Sequence, residues 1–132
     1  MSPESLPPDV ASFIGDHELS LDEIELLTAM TDVPDRWWDA TLVFAELGIA
    51  ATTARGVLDH LGGLNLLDIR VTDEIRYRLR PGTRELAQLV LRLVATYRSN
   101  RSAVVRMIAR EAKGNLLDFA EAFRLRNSDG NR

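Results

Sequence analysis

Two histidines, His17 and His60, are the only imidazoles in a chain of 132 residues that contains no cysteine. Neither has a second nitrogen ligand or a carboxylate pair at metal-binding spacing, so both read as surface or helix-end residues. The missing cysteines remove thiolate metal sites, disulfide frameworks and sulfur nucleophiles together. Acids cluster at Asp22, Glu23 and Glu25 and again at Asp35 and Asp39, positions where negative charge complements a helix N-terminus. No phosphate loop, G-x-S-x-G turn or dinucleotide fingerprint is present. The sequence therefore predicts no enzyme, no metal and no cofactor. What it does carry is arginine. Of 16 basic residues only Lys113 is a lysine, and a guanidinium favours planar, bidentate contact with phosphate or carboxylate. Arg55, Arg70, Arg76 and Arg78 are the candidates for anion recognition.

The elements that must position them lie between Leu47 and Pro81, in the stretch LGIAATTARGVLDHLGGLNLLDIRVTDEIRYRLRP. Gly48 supplies a tight turn after one helical segment, and Ala54, Val57, Leu58 and Leu61 fall at helical spacing in the next. Gly62 and Gly63 are expected to stop that helix. Two alternating strands follow. Leu67, Ile69 and Val71 share one face and Asp68 and Arg70 the other; after Thr72, Asp73 and Glu74, Ile75, Tyr77 and Leu79 alternate with Arg76, Arg78 and Arg80. With Val71 opposite Ile75, Arg70 faces Arg76 and Asp68 faces Arg78. Like charges directly opposite destabilise a ladder by tenths of a kcal/mol up to about 1 kcal/mol, so the pair Arg70/Arg76 suggests an anionic partner.

Helix, turn, helix and hairpin in that order are a winged helix-turn-helix, and this stretch resembles the bacterial regulators of that superfamily, loosely the MarR-like ones. The resemblance implies that the second helix of the pair enters the major groove while the hairpin wing touches the DNA backbone or minor groove. On that helix the face opposite the apolar stripe carries Thr52, Gly56 and Asp59, flanked by Thr53, Arg55 and His60. The candidate contacts with double-stranded DNA are thus Thr52, Thr53, Arg55 and His60 on the helix and Arg70, Arg76 and Arg78 on the wing. Asp59 repels phosphate unless it accepts from a cytosine amino group, and Asp73 and Glu74 put negative charge at the wing tip.

Around this unit the sequence predicts further helices. A short one covers Asp9 to Gly15. Another follows the capping box Ser20/Glu23 with Leu21, Ile24, Leu27 and Ala29 inward and ends near Thr31. A third starts after Pro34 and Asp35, runs to Gly48 and includes Trp37 and Trp38, one buried and one at a border. Beyond the wing, Thr83 and Glu85 open what reads as one long helix to Ala112, and Gly114 caps it before a short helix with Leu116, Phe119 and Phe123. Two apolar stripes run along the long helix, one through Leu86, Leu89, Leu93, Asn100 and Met107, the other through Val90, Val94, Tyr97, Val104 and Ile108. One helix does not easily bury both against a small domain. Leu86, Leu89, Leu93, Tyr97, Asn100, Val104 and Met107 are therefore the candidate homodimer contacts, with Asn100 setting register. A fold-back of the last helix within one chain is the competing explanation.

The net charge of -4 hides a segregation: eleven acids and one base up to Gly48, then nine acids and fifteen bases. This either neutralises internally or presents a basic face to an anion. The start lacks a basic stretch followed by an apolar run, and no apolar segment reaches membrane-spanning length, which predicts a cytoplasmic protein without membrane contact. The expected organisation is a flexible tail over 1–8, a winged helix-turn-helix domain over 9–82, a helical dimerisation extension over 83–126 and a second tail over 127–132. The fold class is mainly α (α+β), with a two-stranded wing and a long C-terminal helical extension. The function expected is dimeric, DNA-binding transcription regulation in a bacterium; the alternative is a winged-helix module that docks a protein partner without binding DNA.

Overall fold

The computed structural model describes residues 6–111. Helix α1 (Pro8–Asp16) leads into α2 (Leu21–Asp32), then α3 (Ala40–Leu47) and α4 (Ala51–Gly63); strands β1 (Leu67–Val71) and β2 (Ile75–Leu79) form the hairpin, and α5 (Arg84–Ser99) follows. A further helix, α6, covers 101–111. The architecture is mainly α, a winged helix-turn-helix with helices added at both ends, as the residue pattern predicts. The predicted Gly114 cap and the helix after it lie outside the described residues.

Local chemistry explains most of the boundaries. Ser20 opens α2 through a complete capping box: its Oγ accepts from the Glu23 N–H (3.2 Å) and its own N–H donates to Glu23 Oε1 (3.0 Å). Thr83 caps α5 by accepting from the Leu86 N–H (3.1 Å). Gly48 closes α3 at φ 72°, a left-handed conformation that costs glycine least, and the chain bends by 112° there between α3 and α4. The hairpin register is the predicted one, with Val71 opposite Ile75, Arg70 opposite Arg76, Ile69 opposite Tyr77 and Asp68 opposite Arg78.

Three expectations are corrected. Trp37 and Trp38 do not lie on α3. Asp39 caps that helix by accepting from the Leu42 N–H (2.8 Å), and Trp38 instead exchanges backbone hydrogen bonds with Tyr77 (2.6 and 2.7 Å), which gives β2 a short neighbour on its second edge. The predicted partition between the two indoles holds: Trp38 is buried and Trp37 half-buried. Secondly, α4 ends at the paired glycines as expected, but Gly62 and Gly63 are its last two residues and the cap is Leu64. The reversal falls at Asn65 (φ 65°), a residue that tolerates the left-handed region. Thirdly, the long helix is two helices. Asn100 (φ -146°, ψ 58°) ends α5, its N–H bonding to Thr96 O, while its carbonyl accepts from Val104 N–H to open α6. Asparagine competes with the helix for its own backbone bonds and favours ends over interiors.

The core runs between these helices. Ile24, Leu26, Leu27 and Met30 of α2 meet Val43 of α3, Ala54, Leu58 and Leu61 of α4, and Val90, Leu93, Val94 and Tyr97 of α5 in one continuous cluster. Val10, Phe13 and Ile14 of α1 join the same cluster, and Gly15 at the end of α1 faces α6, where an added Cβ would make an ordinary contact with Met107 at 3.7 Å. The acidic first third is tied to the basic last third across this core. Asp9 pairs with Arg92 (2.6 Å), Asp32 with Arg98 (2.5 Å) and Glu25 with Arg101 (3.1 Å). Each pair is exposed and contributes at most about 1 kcal/mol, but together they account for part of the charge segregation without any partner. Among the described residues no single helix is long and apolar enough to cross a membrane.

Candidate nucleic-acid interface

Helix α4 buries Ala54, Val57, Leu58 and Leu61, and the 100° step then leaves Thr52, Thr53, Arg55, Gly56 and Asp59 exposed. No side chain caps its N-terminus, so the threonine hydroxyls at the first turn are not spent on the helix's own amides. Arg55 has no ion pair among the described residues.

The other two polar residues of this helix turn out to be fasteners. His60 Nδ1 contacts the carboxylate of Glu23, a residue of α2 that is only 4% exposed. The imidazole thus neutralises, or hydrogen-bonds, the one charged side chain buried in the core of the described residues, and His60 is removed from the set of free DNA contacts. Asp59 accepts from the Tyr77 hydroxyl of the wing (2.5 Å). That bond uses the carboxylate that a cytosine amino group would need, and it fixes the wing against α4. Burial first, then the bond to Asp59, pushes the Tyr77 phenol from 10.0 up to about 12.

The wing has two unlike faces. On the outer one Arg70 stands opposite Arg76; Arg76 reaches Glu74 (3.3 Å), whereas Arg70 has no carboxylate partner among the described residues. Arg78 is committed, bonding to Asp68 (3.0 Å) with its guanidinium 4.4 Å from the centre of the Trp37 ring. Arg80 shares Asp68 at 3.8 Å. Of the three wing arginines singled out in the sequence, Arg70 has no carboxylate partner among the described residues, Arg76 shares an exposed ion pair with Glu74, and Arg78 bonds Asp68 and stacks on Trp37. On the inner face Leu67 and Tyr77 are buried, while Ile69, Val71 and Ile75 are 45%, 71% and 49% exposed.

The predicted dimer residues are distributed differently from a free seam. Leu93, Tyr97 and Val104 are buried within the chain, Leu86, Leu89 and Met107 are half-buried against the same core, and Asn100 sits at the break between α5 and α6. Tyr97 also donates to Glu25 of α2 (2.7 Å); burial, with that bond, raises its phenol pKa. The second apolar stripe is covered by α1 and α2, which sequence periodicity could not reveal. Leu91 (58%) and Val105 (37%) are the large apolar side chains left in the open on α5 and α6.

No protein-family model matches the chain, and no curated protein matches it. Solved structures do. RV1404 from Mycobacterium tuberculosis is 15% identical, with a TM-score of 0.51 over 90% of this chain and 80% of its own. The transcriptional regulator Tm0710 from Thermotoga maritima is 13% identical (TM-score 0.47, 92% and 85% covered). BpsR of Bordetella bronchiseptica, whose DNA binding is regulated by 6-hydroxynicotinic acid, is 20% identical (TM-score 0.49, 81% and 82% covered). These are likenesses of fold alone: the chain shares the fold of RV1404 over 90% of its length.

Proposed function

We propose that the protein is a DNA-binding transcriptional regulator that acts as a homodimer and without catalysis. The observation that carries this reading is the pairing of Arg70 with Arg76 across the outer face of the wing, beside an α4 whose first turn presents Thr52, Thr53 and Arg55 to solvent. Two arginines held opposite each other by register, of which only Arg76 has a carboxylate partner, leave positive charge on that face that a phosphate would satisfy. The uncapped N-terminus of α4 adds a partial positive charge. Such contacts position the protein on a duplex, while the threonines and Arg55 are the groups able to reach base edges.

Binding of labelled duplex, followed by anisotropy over a series of salt concentrations, tests this reading. Each phosphate contact removed lowers the slope of log affinity against log salt by about 1. Arg70→Ala with Arg76→Ala should therefore weaken binding to all sequences and flatten the slope by about 2, whereas Arg55→Ala should also relax any sequence preference. A parent that binds no duplex at low salt removes the proposal.

A second reading, a module that docks a protein partner, is favoured by one specific observation. The inner face of the wing exposes three aliphatic side chains in a row, which a contact with phosphates alone would leave in water.

A further inference from the structure

The inner face of the wing overhangs α4. Ile69 lies so close to the helix that a Cβ on Gly62 would stand 2.8 Å from its Cδ1. Farther out, Val71 and Ile75 face each other across the hairpin, both on the side of the sheet that carries Tyr77. Between this overhang and the start of α3 opens a groove of about 420 Å³. Leu58 and Ile75 give it an apolar lining, and Asp39, Asp73 and Glu74 set three carboxylates against the single guanidinium of Arg55. Asp39 is spent in part on capping α3 and Glu74 on Arg76. Asp73 has no cationic partner among the described residues.

We propose that this groove docks a basic, aliphatic segment of a protein partner, with lysine or arginine side chains directed to Asp73, Glu74 and Asp39 and an aliphatic side chain laid against Ile75, which lines the groove, and against Val71 opposite it across the hairpin. The inference rests on the second reading above and names the chemistry of its partner. Charge decides against the other occupants. A phosphate backbone brought into the groove would meet three carboxylates and one guanidinium, so the electrostatic contribution has the wrong sign. A second copy of this chain has its α5 and α6 cations Arg92, Arg98 and Arg101 already paired with Asp9, Asp32 and Glu25, and would have to bring Arg84 or Arg110 instead, an occupant that the self-association outcome below tests. A foreign basic segment satisfies both halves of the groove: its charges meet carboxylates and its aliphatic groups remove exposed valine and isoleucine from water.

Fluorescent peptides of alternating Lys and Leu, Glu and Leu, and Lys and Ser provide the probes, titrated with the full chain and read by anisotropy. The Lys/Leu peptide should bind about tenfold or more tightly than either of the others. Asp73→Lys with Glu74→Lys should reverse the preference in favour of Glu/Leu. Val71→Ser with Ile75→Ser should cost about tenfold for the Lys/Leu peptide while circular dichroism shows the helical content unchanged; both sites are exposed, so neither pair is needed for the core. Equal binding of the Lys/Leu and Glu/Leu peptides overturns the proposal, as does indifference to the serine pair. If the Glu/Leu peptide binds best and Arg70→Ala with Arg76→Ala abolishes it, protein docking survives on the outer face and the groove is excluded. If no peptide binds, protein docking falls with it. Loss of duplex binding in the serine pair, without peptide binding by the parent, identifies the apolar face as a wedge into DNA, and loss of self-association there identifies a second copy; either result overturns the basic-segment proposal.

Discussion

A hydroxyl and an imidazole settle how α4 is held. Tyr77 ties the wing to Asp59 of α4, and His60 ties α4 to the buried carboxylate of Glu23 on α2. Both bonds join residues far apart in the chain, which is why a reading of local pattern placed His60 among the DNA contacts and left Asp59 with two opposed roles. The Tyr77 bond has a measurable consequence. A phenol whose folded pKa is about 12 against an ordinary 10.0 keeps its proton more firmly in the folded state, so its stabilising contribution is complete below about pH 10 and is lost as pH rises towards 12. Denaturant midpoints should therefore fall across that window. Tyr97, raised in the same direction, contributes to the fall, so the informative comparison is with Tyr77→Phe, in which the decline should be shallower. An identical decline in the variant would show that Tyr77 has an ordinary phenol.

At the scale of elements, features carried by neighbouring residues were legible in the sequence. The capping box at Ser20 and Glu23, the turn at Gly48 and the hairpin register all follow from residue type and alternation within a few positions, and all three are present. Features that depend on a distant neighbour were not legible. The backbone pairing of Trp38 with Tyr77 joins residues 39 positions apart, and the coverage of the second apolar stripe needs the tertiary fold. Glycines inside α4 belong between these cases. Gly56 is helical, faces solvent, and a Cβ there would meet nothing within 4 Å. Since glycine in a helix interior costs about 1 kcal/mol relative to alanine, Gly56→Ala should stabilise the protein by about that amount in thermal or denaturant unfolding. If the missing side chain exists so that a duplex can approach α4 closely, the same variant will bind DNA more weakly although it is more stable. A loss of stability would show that α4 is not a regular helix at this point.

Assembly is the question for the whole molecule, and the described core changes which residues can answer it. Leu93 at the centre of the expected dimer seam is fully buried in the core, so a charge there would test folding rather than association. Leu91 and Val105 are exposed on α5 and α6, and Leu86, Leu89 and Met107 keep part of their surface free. Two-fold pairing through Leu91 and Val105 would cover these two groups and set two wings at a fixed separation, the geometry a palindromic site requires. We expect light scattering at micromolar concentration to give twice the chain mass. Leu91→Glu with Val105→Glu should then yield a monomer of unchanged helical content, since neither side chain is in the core, and duplex binding should weaken because two weak half-site contacts no longer add through one rigid body. Should the parent already be monomeric, the exposed leucine and valine have no symmetric partner, and the two-fold model of DNA binding has to give way to one chain on one site.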